Sequence, residues 1–358
     1  MLRGISKAAF GFFTVLLCLI IIIWRGSIKM EDDNEVVEYL QAVVDVDKRE
    51  SSDVFRDQKR AYVALCTSKR YIFPTLVLFH QIRRVSAIDM VVLLSTDLRN
   101  LSFLFTRVRI TVIFLPSERL FTVNYPVQSI STRKRDINLW YKLYAWKLDY
   151  EKIIFLDVDL LVLENIDELF DLNVELAGVA ALSSDEKILF WDPPGPLESD
   201  PVDINSWRNF SRVSELEVYH SGLNSGVILL KPSAEIYHQL LTAASLLAER
   251  TCCPSQEFVF RFFELRGTYH RLPPTYNMRK IHKISYEDAN SQVKVYHFVE
   301  KKKPWMIGRS AAKNFKYARL WWDAAEKADN FLESTFSNEE ELLAAYRSCR
   351  HAAISWIG

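Results

Sequence analysis

Few architectures can accommodate the segment IIFLDVDLLVLENIDELF, residues 153–170. An almost continuous run of Ile, Leu, Val and Phe suits a strand buried on both faces, as in parallel sheets covered by helices. Two carboxylates, Asp157 and Asp159, interrupt it. A buried carboxylate without a partner is costly enough to be neutralised or to acquire a cation. The segment therefore predicts a buried strand that ends in a pair of acids with a specific task.

The sequence around it fits the same architecture. AYVALCT (61–67), AIDMVVLLST (87–96) and VRITVIFLP (108–116) read as strands, and YIFPTLVLFHQIRR (71–84) as a helix between the first two. DINLWYKLYAWKLDY (136–150) also reads as a helix, with Ile137, Trp140, Tyr141, Tyr144 and Leu148 on one side. Strands alternating with helices predict a sheet flanked on both faces, with ligands beyond the carboxyl ends of the strands. Asp157 and Asp159 lie where such a strand runs out. Further on, LNSGVILLKPS (223–233) reads as turn and strand, AEIYHQLLTAASLLAER (234–250) as an amphipathic helix, and residues 191–220 as a proline-rich surface excursion. NEEELLAAYRSCRHAA (338–353) reads as a terminal helix, packed on the domain or trailing from it.

Composition narrows the function classes. Lys+Arg and Asp+Glu both number 45, so net charge offers no basis for nucleic-acid binding. Ala8–Trp24 carries no charge and is flanked by Arg3, Lys7, Arg25 and Lys29. It predicts an uncleaved signal-anchor near the lower length limit for a membrane span, with orientation left open by the balanced charges. A polar, acidic stem follows to residue 59. The expected organisation is tail and anchor at 1–25, stem at 26–59, the main folded domain at 60–328 and a helical extension at 329–358. The sequons at Asn100 and Asn209 are usable only in a luminal domain. Beyond Cys18, the four cysteines Cys66, Cys252, Cys253 and Cys349 allow three full pairings and match no zinc spacing; buried free thiols fit equally well.

Residues two apart on an extended strand face the same way, so Asp157 and Asp159 can aim oxygens at one point. Paired carboxylates are hard ligands suited to magnesium or manganese, and such an ion can neutralise a leaving diphosphate. A D-x-D triplet alone is weak evidence; Asp45 and Asp47 form another in the stem. The apolar flanks distinguish this one.

KLYAWKLDYEKIIFLDVDLLVLENIDELF (142–170) resembles glycosyltransferase family 8, particularly its glycogenin-like and plant glucuronosyltransferase branches. YVALCTSKRY, LNSGVILLKPS, HFVEKKKPW and LWWDAAE recur in the family's order between Ala61 and Glu326. The resemblance implies a GT-A α/β fold with a mixed, mainly parallel sheet flanked by helices, here behind an N-terminal transmembrane helix. It implies transfer of a hexose or hexuronic acid from a UDP-sugar with retention, using Mn2+, to a glycan, glycolipid or glycoprotein acceptor. Asp157, Asp159 and His297 would be the metal ligands. Lys303 would hold the donor phosphates, and Tyr71 would stack on uracil with Cys66, Thr67 and Ser68 along the nucleoside. Lys142 would sit near the donor sugar and diphosphate, and Asn224 would hydrogen-bond the sugar, with Gly226 allowing close approach. Arg133 would contribute to the donor site and Gln256 to catalysis.

Two positions depart from the family pattern. Ser255 stands where an Asp precedes Gln256, and Glu300 where a Gly follows HFV. They raise the alternative of a catalytically impaired nucleotide-sugar-binding relative; a self-glucosylating primer is another. The anchor and sequons suggest a single-pass type II protein of the Golgi or ER with a luminal catalytic domain. A homodimer is left open.

Overall fold

The computed structural model describes residues 59–116, 137–180, 223–247, 259–265, 268–279 and 293–355. Residues 58–358 form one compact unit. The expected anchor at 8–24, the stem and the excursion at 191–220 lie outside the described residues. Among the described residues, no helix is long and apolar enough to cross a membrane.

A seven-stranded sheet organises the fold. Its strands are β1 (Arg60–Cys66), β2 (Asp89–Leu94), β3 (Thr111–Phe114), β4 (Lys152–Leu156), β6 (Leu176–Ala180), β7 (Leu223–Leu230) and β8 (Tyr269–Arg271). The order is β3-β2-β1-β4-β7-β6-β8. β1 to β4 are mutually parallel, whereas β7 runs antiparallel to both of its neighbours. β5 (Leu160–Val162) leaves this sheet and pairs antiparallel with β9 (Val295–His297).

Alternation along the strands explains their unbroken hydrophobicity. Ile154 and Leu156 of β4 join one core with Tyr62, Ala64 and Cys66 of β1. Ile153 and Phe155 join a second core on the opposite face with Ala61 and Val63. Each strand thus needs apolar residues at both parities.

The first core is covered by α1 (Ile72–Arg83) and the C-terminal helices α6 (Lys316–Phe336) and α7 (Glu340–Ile354). Helix α1 is buried along nearly its whole length, consistent with its lack of a polar stripe. Phe73 meets the rings of both Trp321 and Tyr346, at 6.4 and 6.2 Å between centroids. Tyr346 and Cys349 are fully buried, so the terminal helix is packed onto the domain rather than trailing from it. The second core is covered by 3-10 turns at Ile137–Lys147, by α3 (Ala234–Leu247) and by α4 (Val259–Leu265).

Two local expectations are corrected. Residues 137–147 wind with three residues per turn, not as an α-helix. Trp140, Leu143 and Trp146, spaced by three, become the buried side, while Tyr141 and Tyr144 are only half-buried. The segment at 153–162 is two strands in two sheets, with Asp157, Val158 and Asp159 in the break between them. The two acids converge because the chain turns from one sheet to the other there. Gln81 of α1 fixes the departure: its Oε1 accepts a hydrogen bond from Val162 N at 2.9 Å.

Candidate active site

Three structural edges meet at the Asp157–Asp159 break. β1 is parallel to β4, with Ala64 level with Leu156, so the loop after Cys66 and the acidic segment emerge side by side. β7 enters from the opposite direction, and Gly226 O accepts a hydrogen bond from Asp157 N at 2.9 Å. β9 delivers His297 opposite Leu160, and Phe298 N donates to Asp159 O at 3.0 Å.

Among the described residues, Asp157, Asp159 and His297 form a cluster whose ligand atoms all lie within 4.8 Å of one another. His297 Nε2 is 3.2 Å from Asp159 Oδ1 and 3.9 Å from Asp157 Oδ2. His297 is almost fully buried, and Asp159 is only 14% exposed. Two carboxylates and an imidazole suit a divalent metal such as Mn2+, so the donor set fits the ion that the sequence suggested.

Each acid also has its own lysine. Lys142 Nζ lies 2.6 Å from Asp157 Oδ1, and Lys303 Nζ lies 2.7 Å from Asp159 Oδ2. Burial alone would raise the Asp159 carboxyl, but His297 and Lys303 outweigh it and hold that carboxyl well below the usual range. Lys142 is itself buried and also donates to Ser225 Oγ at 3.0 Å. Lys303 also donates to Phe298 O at 2.6 Å. Its position is set from behind: Trp305 is buried against Trp321 at 5.4 Å between centroids, and Trp322 Nε1 donates to Pro304 O at 3.0 Å. The KPW and LWW motifs therefore hold each other. Lys301 and Lys302 are exposed, as a solvated charge run would be.

The Glycosyl transferase family 8 profile matches residues 62–307, about the span over which these strands and the acid–histidine cluster are built. The chain belongs to glycosyltransferase family 8. Its relatives include the glycogenin of Komagataella phaffii, 24% identical over 314 residues covering 78% of this chain and 68% of that protein. Human glycogenin-1 is 32% identical over 172 residues, 46% of this chain and 39% of that protein. Galactinol synthase 2 of Arabidopsis thaliana is 29% identical over 195 residues, 51% of this chain and 56% of that protein. The chain thus matches about half or less of the length of several of these relatives. A galactosyltransferase, LgtC, solved with donor and acceptor sugar analogs, matches with a TM-score of 0.50 and 15% identity, covering 75% of this chain and 95% of that one. That likeness establishes a GT-A-like fold.

The remaining expected donor residues of this family 8 chain divide into two groups. Cys66 ends β1, and Thr67, Ser68 and Tyr71 lie in the turn beyond it, with Tyr71 N donating to Ser68 O at 2.9 Å. The Cys66 thiol is buried and pushed up to about 12 by that burial, so it acts as a small apolar side chain. Cys66 and Cys349 are both free thiols. Asn224 and Gly226 lie on β7 beside the cluster, and a Cβ on Gly226 would collide with the His297 ring. The close approach that Gly226 allows is therefore that of His297. Arg133, Ser255, Gln256, Cys252 and Cys253 lie outside the described residues. Glu300 is half-buried in the turn between β9 and α5 (Pro304–Ala312).

Sequence reading missed Ser225 and Asn277. Asn277 is fully buried and follows the 3-10 turn Pro274–Tyr276. Ser225 sits inside the LNSG motif without a role assigned to it, whereas Asn277 belongs to no chemical motif and only the folded arrangement brings it to the site.

Proposed function

We propose that this chain is a metal-dependent glycosyltransferase that moves a hexose or hexuronic acid from a UDP-sugar, with retention, to a glycan, glycolipid or glycoprotein. The observation that carries this reading is the convergence of Asp157, Asp159 and His297 with two lysines at one sheet edge. A Mn2+ ion held by those three residues would neutralise charge on the departing diphosphate. Lys142 and Lys303 are positioned to add positive charge where that diphosphate leaves. The turn from Cys66 to Tyr71 would receive the nucleoside, with Tyr71 offering an aromatic face to uracil. Asn224 would hold the sugar, and Arg133 and Gln256 keep their proposed roles by resemblance alone.

The uncharged run Ala8–Trp24 supports a membrane anchor, and the two sequons would be usable in a type II protein with its catalytic domain in the lumen of the Golgi or ER. UDP binding by the purified chain tests the donor reading: affinity that rises when Mn2+ is added supports it, and affinity indifferent to every divalent ion argues against it. A second reading, nucleotide-sugar binding without turnover, draws on Glu300, which brings a half-buried carboxylate to the turn preceding Lys303. Binding without UDP release from any donor would favour that reading.

A further inference from the structure

Asn277 occupies a position that the cluster itself does not explain. Its side chain is fully buried between β7 and β9 and spans two functional residues. Nδ2 lies 2.9 Å from Asn224 Oδ1, and Oδ1 lies 2.9 Å from His297 Nδ1. Amide orientations and imidazole tautomers must be deduced from partners, and here a chain of partners fixes them.

The deduction starts at a backbone group that can only donate. Gly226 N donates to the side-chain oxygen of Asn224 at 3.0 Å, so the atom facing it is Oδ1 and not Nδ2. That same Oδ1 faces Asn277, which must therefore present its nitrogen there. Asn277 Nδ2 also reaches Asn224 O at 3.3 Å, a second acceptor. The other end of the Asn277 amide is then oxygen, an obligate acceptor, and it faces His297 Nδ1. His297 consequently carries a proton on Nδ1, which leaves the lone pair of neutral imidazole on Nε2. Nε2 is the atom that faces Asp159 and Asp157.

We propose that Asn277 is a positioning residue that sets the ring orientation and tautomer of His297 for metal ligation and couples the metal ligand to Asn224. An imidazole ligand in a metal site commonly donates its second N–H to an oxygen, and losing that partner typically costs 10–100-fold in metal affinity. The relay also gives a physical reason for Gly226: it supplies the starting N–H and leaves room for the ring. The inference rests on the metal-dependent reading above and adds a residue outside the ligand set.

The test is Mn2+ affinity, read from the electron paramagnetic resonance of the free ion with UDP present, alongside thermal unfolding of each variant. Asn277→Leu removes the acceptor while retaining volume, and is expected to weaken Mn2+ by roughly 10–100-fold. Asn277→Asp retains an oxygen toward Nδ1 and is expected to recover most of that affinity. In a His297→Ala background, Asn277→Leu is expected to cost nothing further, because its effect runs through the ring. Folded Asn277→Leu with unchanged Mn2+ affinity would overturn the proposal, as would an equal additional loss in the His297→Ala background. If Asn277→Leu does not fold, Asn277→Asp decides: an affinity near wild type supports the proposal, and a loss beyond tenfold overturns it. Failure of the unmodified chain to bind Mn2+ would instead remove the metal reading itself.

Discussion

The ammonium of Lys142 sits 2.6 Å from Asp157 Oδ1, in a side chain only 7% exposed to solvent. Lys142 thus occupies the neighbourhood of a carboxylate that the proposed metal ion would also need. A diphosphate arriving with the metal would give the lysine an alternative partner. Coupling of this kind is reciprocal, so UDP should tighten Mn2+ binding by the factor by which Mn2+ tightens UDP. Lys142→Met is expected to raise affinity for Mn2+ alone while lowering UDP affinity and removing most of the mutual enhancement. Calorimetric titration in both orders measures this, and undiminished enhancement in the variant would show that Lys142 plays no part.

Gly226→Ala should separate fold from site. The added methyl would drive into the His297 ring, so that ring or β7 must shift. Overpacking of this type typically costs about 1–3 kcal/mol. Urea denaturation should show a loss on that scale, and Mn2+ affinity should fall in the same variant. Wild-type values for both would mean that the ring has space which the geometry denies it.

The terminal helix α7 supports the turn proposed to receive the nucleoside. It packs against the turn Lys69–Tyr71, where Lys69 Nζ donates to Ser348 Oγ at 2.9 Å. Tyr346, fully buried, stacks its edge on Phe336 and donates to Asp329 Oδ1 at 2.6 Å. Tyr346→Ala should destabilise the domain by about 3–5 kcal/mol, as other large aromatic truncations do. A fall in UDP affinity should accompany it at temperatures where the variant remains folded. Thermal unfolding and UDP titration together check both halves.

Alkaline pH should weaken the fold. Burial, reinforced by Asp167, Glu168 and Asp329 respectively, raises the phenols of Tyr62, Tyr276 and Tyr346 well above their ordinary value. Below pH 10 both folded and unfolded chains keep these protons. Above it the unfolded chain loses them and the folded chain retains them, so stability falls with rising pH. Each retained proton contributes a slope of about 1.4 kcal/mol per pH unit. Denaturation midpoints measured from pH 8 to 11 should fall beyond pH 10, and a flat profile would contradict the burial of these phenols.

Much of this was legible in the sequence because its signals are local. The strands announce themselves as apolar runs, and their exits mark where ligand residues belong. Asp157 and Asp159 stood out because carboxylates are costly among Ile, Leu and Val. The end of the strand at these acids was legible, but the departure of β5 into a second sheet was not, since only pairing partners distinguish the two sheets. Residues 137–147 misled for a related reason, because aromatic side chains at mixed spacing fit both three and 3.6 residues per turn. Asn277 had no signal at all. Its importance comes from hydrogen bonds to residues 53 and 20 positions away, which no local pattern encodes.

The most direct measurement is UDP release by the purified chain from a panel of UDP-sugars, with Mn2+ and with a chelator, beside Asp157→Asn/Asp159→Asn. The account predicts release from one or a few donors that requires the metal and falls at least about a hundredfold in the double variant. Equal release with chelator, undiminished release by the double variant, or no release from any donor would contradict it.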